Sequence, residues 1–299
     1  MLLSLRSGID TEIGWALDRL CRLCDNEQFL LKAIPGLTDA LFQWPEWYAK
    51  EGCKEHSEMN LIFSPSPPQE RRRRHALESL FILRNAALND PNALELASHP
   101  RTRPLTLMIL YNLEYDMDEN AEFLLYACEL LQAVASTILL PSNLPAQFSP
   151  LPPLENIVSQ SSNRSLIIAA LTSFALIFSN PSNAIHLVPN SPAFRASVKC
   201  LPLFVDKALI EPCLNYLYIH LSYPAMAKAL LLQSDMPSIL RLLVSLLLSE
   251  QVEETVTLEV GGTVHTTPAL TVNMRDHELT KDELDSLLEQ SEPQRCYDW

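Results

Sequence analysis

Glycine is scarce in this sequence: 6 occur in 299 residues, against 22 prolines. Open α/β enzymes need glycine where a phosphate-binding turn brings backbone close to the ligand, so the shortage weighs against a nucleotide-binding fold. Cysteine is sparse as well. The 7 present are odd in number and irregular in spacing, which excludes a disulfide-stapled domain. Long apolar runs are missing: the longest uncharged one, Leu166 to Phe178, has 13 residues, well short of the roughly 20 that span a bilayer. The apolar stretch after Met1 is too short for a signal peptide, so a soluble, intracellular chain is expected. Basic charge is also short, with 22 Lys and Arg facing 36 Asp and Glu, a formal net charge of −14. Nucleic-acid phosphates repel such a chain, which argues against broad DNA binding.

Apolar residues are plentiful, at 47% of the chain, and they recur with helical spacing. Ile9, Ile13, Ala16, Leu17, Leu20 and Leu23 form one such stripe. Similar stripes run through Leu77–Leu88, Leu166–Phe178, Leu209–Leu221 and Ile239–Leu248. Corners rich in Asn and Pro end several of them: Asn89-Asp90-Pro91-Asn92, Ser179-Asn180-Pro181-Ser182-Asn183 and Ser222-Tyr223-Pro224, with Asp25-Asn26 in the equivalent first place. A short apolar helix follows each corner (Ala93–Ala97, Met226–Leu232), then a turn, then another apolar segment (Leu105–Leu113, Ile239–Leu248). That order predicts an all-α, armadillo/HEAT-like right-handed helical solenoid over residues 1–249, in which each unit hides the apolar face of its neighbour. An irregular helical bundle is the alternative. The core is expected to include Trp15, Leu17, Leu83, Tyr111, Phe174, Leu217 and Leu243.

Two proline-rich loops, about 64–70 and 141–153, interrupt the pattern, the second with 5 prolines in 13 residues. From Glu250 onward the composition changes to 12 acidic and 3 basic side chains. This acidic, partly irregular tail (250–299) alternates like a hairpin around Gly261-Gly262, although an acidic loop fits it equally. Thr280 and Glu283 form a capping box that predicts a short helix to Gln290.

Candidate chemistry is thin. Cys21, Cys24, Cys53 and His56 have zinc-ligand spacing, but the first pair sits on an amphipathic helix stripe, where small core residues are the better explanation. Asp116-x-Asp118-x-Asn120 opens like a calcium loop, yet Ala121 and Ala127 stand where glycine and a bidentate glutamate belong; acidic capping of a helix start explains it better. The 7 histidines fall in no catalytic pattern, and phosphate-loop, dinucleotide and Gly-x-Ser-x-Gly motifs are absent. No enzyme activity, cofactor, metal or small-molecule substrate is expected. The run Arg71-Arg72-Arg73-Arg74 opens a helix, where the macrodipole disfavours cations. It is a candidate basic contact or nuclear-import patch, and Ser64 and Ser66, each before proline, are candidate phosphosites able to pair with it; a solvated helix start is the plain alternative.

Three stretches carry a resemblance. Ser7-Gly8-Ile9-x-x-Glu12-x-x-Trp15-Ala16-Leu17-Asp18-x-Leu20 resembles the opening helix of the armadillo-like core in large SWI/SNF-type remodeller subunits. Leu80-x-x-Leu83-Arg84-Asn85-x-x-Leu88 is similar to their leucine-arginine-asparagine helix, and Pro212-Cys213-Leu214-Asn215-Tyr216-Leu217-Tyr218 to a late repeat whose short apolar helix ends in Tyr. The family is that of the ninth subunit of the fungal RSC chromatin-remodelling complex and the animal AT-rich-interaction-domain subunits. The likeness covers most of Leu3–Leu248, and Glu292–Trp299 looks like the approach to the RFX-type segment that follows in the family. The chain is therefore expected to be a fragment or truncated product at both ends. The resemblance implies a non-catalytic scaffold subunit in the nucleus, supporting nucleosome remodelling and transcription regulation through contacts with other subunits. Direct DNA binding, membrane and substrate are not implied. A stand-alone armadillo-type adaptor for peptide segments is the alternative, although Asn85, Asn112 and Asn215 are few and uneven for its asparagine ladder.

Overall fold

The computed structural model describes residues 1–26, 28–55, 66–203, 205–231, 239–251, 255–260 and 263–268. The chain divides into two compact units, Met1–Ile239 and Leu240–Trp299. Among its described residues the first unit is helical throughout, which is the all-α architecture the apolar periodicity predicts. Its helices in chain order are α1 (Leu2–Leu5), α2 (Asp10–Leu23), α3 (Leu37–Trp47), α4 (Pro67–Ala86), α5 (Asp90–Ser98) and α6 (Thr102–Asn112). There follow α7 (Asp118–Val134), α8 (Leu151–Gln160), α9 (Arg164–Phe178), α10 (Pro192–Cys200), α11 (Lys207–Leu221) and α12 (Pro224–Leu231).

The longer helices α2, α4, α7, α9 and α11 pack in series, each against the next. A second series, α3, α6, α8 and α10, also packs helix to helix, and its members lie on α4, α7, α9 and α11 respectively. Burial follows from that double contact. Leu17 on α2 and Leu83 on α4 are sealed from solvent, and Phe174 on α9 and Leu217 on α11 nearly so. Trp15 and Tyr111 depart from the expectation, at 52% and 40% exposed. The buried positions of α2 are Ile13, Ala16, Leu17 and Leu20, a stripe that leaves Trp15 to one side and Ile9 and Leu23 exposed at the helix ends. Tyr111 sits at a rim, where its ring packs and its hydroxyl reaches backbone carbonyls.

Short connectors join the two series: 3-10 turns at Leu31–Ala33, Ala135–Thr137 and Pro181–His186, and helices α5 and α12. Two of the Asn/Pro corners do more than stop a helix. Asn92, buried in the first turn of α5, donates from Nδ2 to the Phe29 carbonyl (2.8 Å) and accepts from the Leu31 amide (2.9 Å). Asn183, buried in the Pro181–His186 turn, donates to the Ile138 carbonyl and accepts from the Leu140 amide, both at 2.9 Å. In each case one asparagine satisfies a carbonyl and an amide two residues apart in the connector before it. Both stand three residues after the capping asparagine, Asn89 or Asn180. Left unpaired, such buried backbone groups cost about 1–3 kcal/mol each.

Several expected boundaries shift. The first proline loop ends at Ser66, because α4 begins on Pro67 and Pro68, which suit the first turn where no amide partner is needed. The second ends at Pro150, with Pro152 and Pro153 inside the first turn of α8 for the same reason. The Pro212–Tyr218 stretch is not a short helix ending in tyrosine: it lies within the 15-residue α11, which runs on to Leu221.

In the second unit, α13 (Ile239–Gln251) carries Leu243, half-buried rather than sealed. Strands β1 (Thr255–Val260) and β2 (Thr263–Pro268) pair antiparallel, with Thr255 opposite Pro268 and Val260 opposite Thr263. The helix expected over Thr280–Gln290 lies outside the described residues.

Candidate functional site

The arginine run sits in the first half of α4, which opens with a capping box: Gln69 Oε1 accepts from the Ser66 amide (3.1 Å) and hydroxyl (2.8 Å). Three of the four arginines face protein partners. Arg71 Nε lies 3.5 Å from Asp10 of α2. Arg73, half-buried, donates to the Glu119 carbonyl of α7 at 2.6 Å, and its guanidinium stands 5.7 Å from the Phe123 ring centre. Arg74 Nε donates to Glu78 one turn along α4 at 2.7 Å. Arg72 is exposed. Cations thus sit at the unfavourable end of the dipole because two of them tie α4 to its neighbours. Ser66 holds the helix cap; Ser64 lies outside the described residues.

The thiols of the zinc-like set do not converge. Cys24 donates to the Cys21 carbonyl (3.1 Å) and Cys53 to the Ala49 carbonyl (3.7 Å); His56 lies outside the described residues. Burial pushes Cys21 up to about 12 and Cys24 up to about 11. Among the described residues no three His, Cys, Asp or Glu side chains gather as a metal site requires. Asp118 and Glu119 form the acidic first turn of α7, and Asn120 donates to the Glu114 carbonyl.

The asparagines weighed as a peptide ladder are partly engaged. Asn85 donates to Asp25 at 2.9 Å, while Arg84 beside it reaches Glu129 of α7 at 2.5 Å. Asn112 donates to the Ala49 carbonyl at 2.9 Å. Asn215 is exposed. These bonds run between helices of the stack, a role that spacing alone did not distinguish from ligand binding. Asn92 and Asn183 were legible only as turn residues; their fixed place after the capping asparagine is the signal that separates them.

An open groove of about 640 Å³ lies between α6 and the proline-rich loop. Leu107, Met108 and Tyr111 form one wall, and Leu139, Leu144 and Phe148 the other. The loop is held in place by the Tyr111 hydroxyl, which donates to the Ala146 and Ser149 carbonyls, and by Arg103, which donates to the Phe148 carbonyl at 3.3 Å. Leu139 and Phe148 are more than half exposed. Arg103 is the groove's charged member. The lining suits apolar side chains of a partner and offers no nucleophile beside a base. No family model matches the chain, and no curated protein matches it.

Proposed function

We propose that the first unit is an armadillo/HEAT-like, right-handed helical solenoid, and that the protein serves as a non-catalytic scaffold subunit of a nuclear, ATP-dependent chromatin-remodelling complex of RSC or SWI/SNF type. The observation that carries the scaffold reading is the double series of helices, α2-α4-α7-α9-α11 over α3-α6-α8-α10, each member packed on the next. Stacked repeats of this kind present long, stiff surfaces on which partner segments fold at modest affinity per contact. The remodelling assignment rests on the sequence resemblance of Ser7–Leu20, Leu80–Leu88 and Pro212–Tyr218.

The apolar groove favours a second reading, an armadillo-type adaptor that takes an apolar peptide segment of transient partners. One experiment separates the two. Affinity purification of the tagged chain from nuclear extract, with quantitative mass spectrometry, should return the subunits of one remodelling ATPase in equal amounts. Many partners in small, unequal amounts would favour the adaptor. Recovery of no remodeller subunit would remove the first reading.

A further inference from the structure

Arg103 differs from the other arginines at the helix junctions. Arg84, Arg101 and Arg164 each meet a carboxylate, on Glu129, Glu46 and Asp206. Arg103 instead donates through Nη2 to a neutral acceptor, the Phe148 carbonyl. Among the described residues no carboxylate pairs with it, so its charge stands uncompensated in the wall of the groove between α6 and the proline-rich loop. The apolar surface also continues past that groove. Leu139, which lines it, stands between Ile138 and Leu140, the two residues that Asn183 clamps. His186 adds a 2.9 Å bond from Nε2 to the Leu140 carbonyl. Ile185 lies between those two anchors on the next connector, and like Leu139 and Phe148 it is more than half exposed. Apolar side chains thus run from Phe148 through Leu144 and Leu139 toward Ile185. A track that leaves its groove and crosses to a second connector suits a length of polypeptide rather than a small molecule.

We propose that this track docks an acidic, apolar segment of a partner protein: large apolar side chains seat between α6 and the proline-rich loop, and an aspartate or glutamate beside them pairs with Arg103. The inference rests on the reading of the groove as a site for partner segments, and it names the sequence class that the site selects. It serves a scaffold subunit and an adaptor alike. A guanidinium against an apolar wall favours a carboxylate, which it can meet with two parallel bonds where little water competes. A lysine or arginine at the same place would face a like charge, so basic segments are rejected. The net charge of −14 draws basic partners from a distance, but salt screens that attraction beyond about 8 Å. Once the segment is seated, the charge it touches decides.

The test pans a phage library of short random peptides on the full chain, then titrates the best-enriched peptide, labelled with fluorescein, by fluorescence anisotropy. Enriched peptides should combine large apolar residues with an aspartate or glutamate. Phe148→Asp, a change at an exposed loop position, should weaken binding about tenfold or more. Arg103→Glu should weaken it about tenfold, and a peptide whose acidic residue is replaced by lysine should recover the loss on that variant. That recovery also shows that the variant still folds. Apolar peptides enriched without any acidic residue, and indifferent to Arg103→Glu, would overturn the proposal while leaving the groove a site for partner segments. Peptides that bind the wild type and Phe148→Asp equally would overturn both. A dimer seen by sedimentation and dissolved by Phe148→Asp would overturn the proposal in favour of a second copy of the chain.

Discussion

Ring contacts join helices in both halves of the first unit, while among the described residues the ion pairs between elements concentrate in the first. From α2 to α7, charged side chains do much of the joining: Arg101 forks onto Glu46 with two 2.8 Å bonds, Arg84 meets Glu129, Asn85 meets Asp25, and Arg71 and Arg73 reach the Asp10 carboxylate and the Glu119 carbonyl. Rings join helices here too: Trp44 of α3 lies 5.3 Å from His75 of α4, and Phe81 of α4 lies 5.7 Å from Tyr126 of α7. From α8 to α11 they do most of the joining. Phe174 lies 5.4 Å from Tyr216, Phe194 lies 4.6 Å from His220, and Tyr216 lies 5.8 Å from His220. Among the described residues of that stretch, Arg164 with Asp206 is the ion pair. Aromatic area thus serves both halves, and the polar forks added at the rims of the first should make that half the more sensitive to salt.

The largest effect should come from Leu83→Asp, which puts an unpaired carboxylate where no solvent reaches; about 3–5 kcal/mol of stability should vanish. Trp15, Trp44 and Trp47 all lie in the charged half, so tryptophan fluorescence follows chiefly that half, while far-ultraviolet circular dichroism follows the whole. Loss of fluorescence structure ahead of the dichroism signal would mean that the halves unfold separately. Coincident curves would mean that the stack melts as one.

Next come the two connectors. Asn92→Ala and Asn183→Ala each strand buried backbone groups, and each should cost about 2–4 kcal/mol in denaturant melts. Asn183 also donates to the Ile177 carbonyl at 2.8 Å, so its loss should be the costlier. A smaller penalty at Asn183 than at Asn92 would break the idea that one device serves both halves alike.

Acid should act on both halves through buried histidines, because burial lowers the pKa of His75 in the first as it does that of His220 in the second. His220 is sealed among rings, Nδ1 has no hydrogen-bond partner, and burial lowers its pKa from 6.5 to about 4. Above pH 6.5 the ring is neutral in folded and unfolded chains alike, and stability is unaffected. Below it the unfolded chain takes up the proton first, so stability falls until about pH 4, by about 3 kcal/mol in all. In His220→Phe the part of the decline above pH 5, where most carboxylates are still ionised, should shrink. A decline that persists there unchanged would assign it elsewhere.

The smallest effect belongs to the arginine run. Arg74→Ala removes an exposed pair one turn long and should cost about 0.3–0.5 kcal/mol, fading with salt. Arg73→Ala should cost more, because Arg73 is half-buried and bonded to the next helix. Equal costs would mean that the inter-helix contact adds nothing.

Much of the helical framework was legible in the order of apolar stripes, corners and short helices, since period and punctuation act over one or two turns. Less was legible where the partner lies far along the chain. Trp15 looked like core because it is large and apolar, yet one step around α2 puts it outside the contact with α4. The Arg71–Arg74 run looked like a ligand site because its partners, the Asp10 carboxylate and the Glu119 backbone carbonyl, lie about sixty residues before and nearly fifty after it. The groove was not legible at all, since α6 and the loop around Phe148 meet only in the folded chain.

By itself the sequence settled helical class, several of the corners where helices stop and the shortage of catalytic motifs, all of which depend on neighbours within a few residues. Tertiary structure decided which asparagines clamp backbone and which arginines are engaged. Those outcomes turn on distances of about 3 Å between residues remote in sequence, and only packing, which brings the helices together and withdraws water from between them, determines such distances.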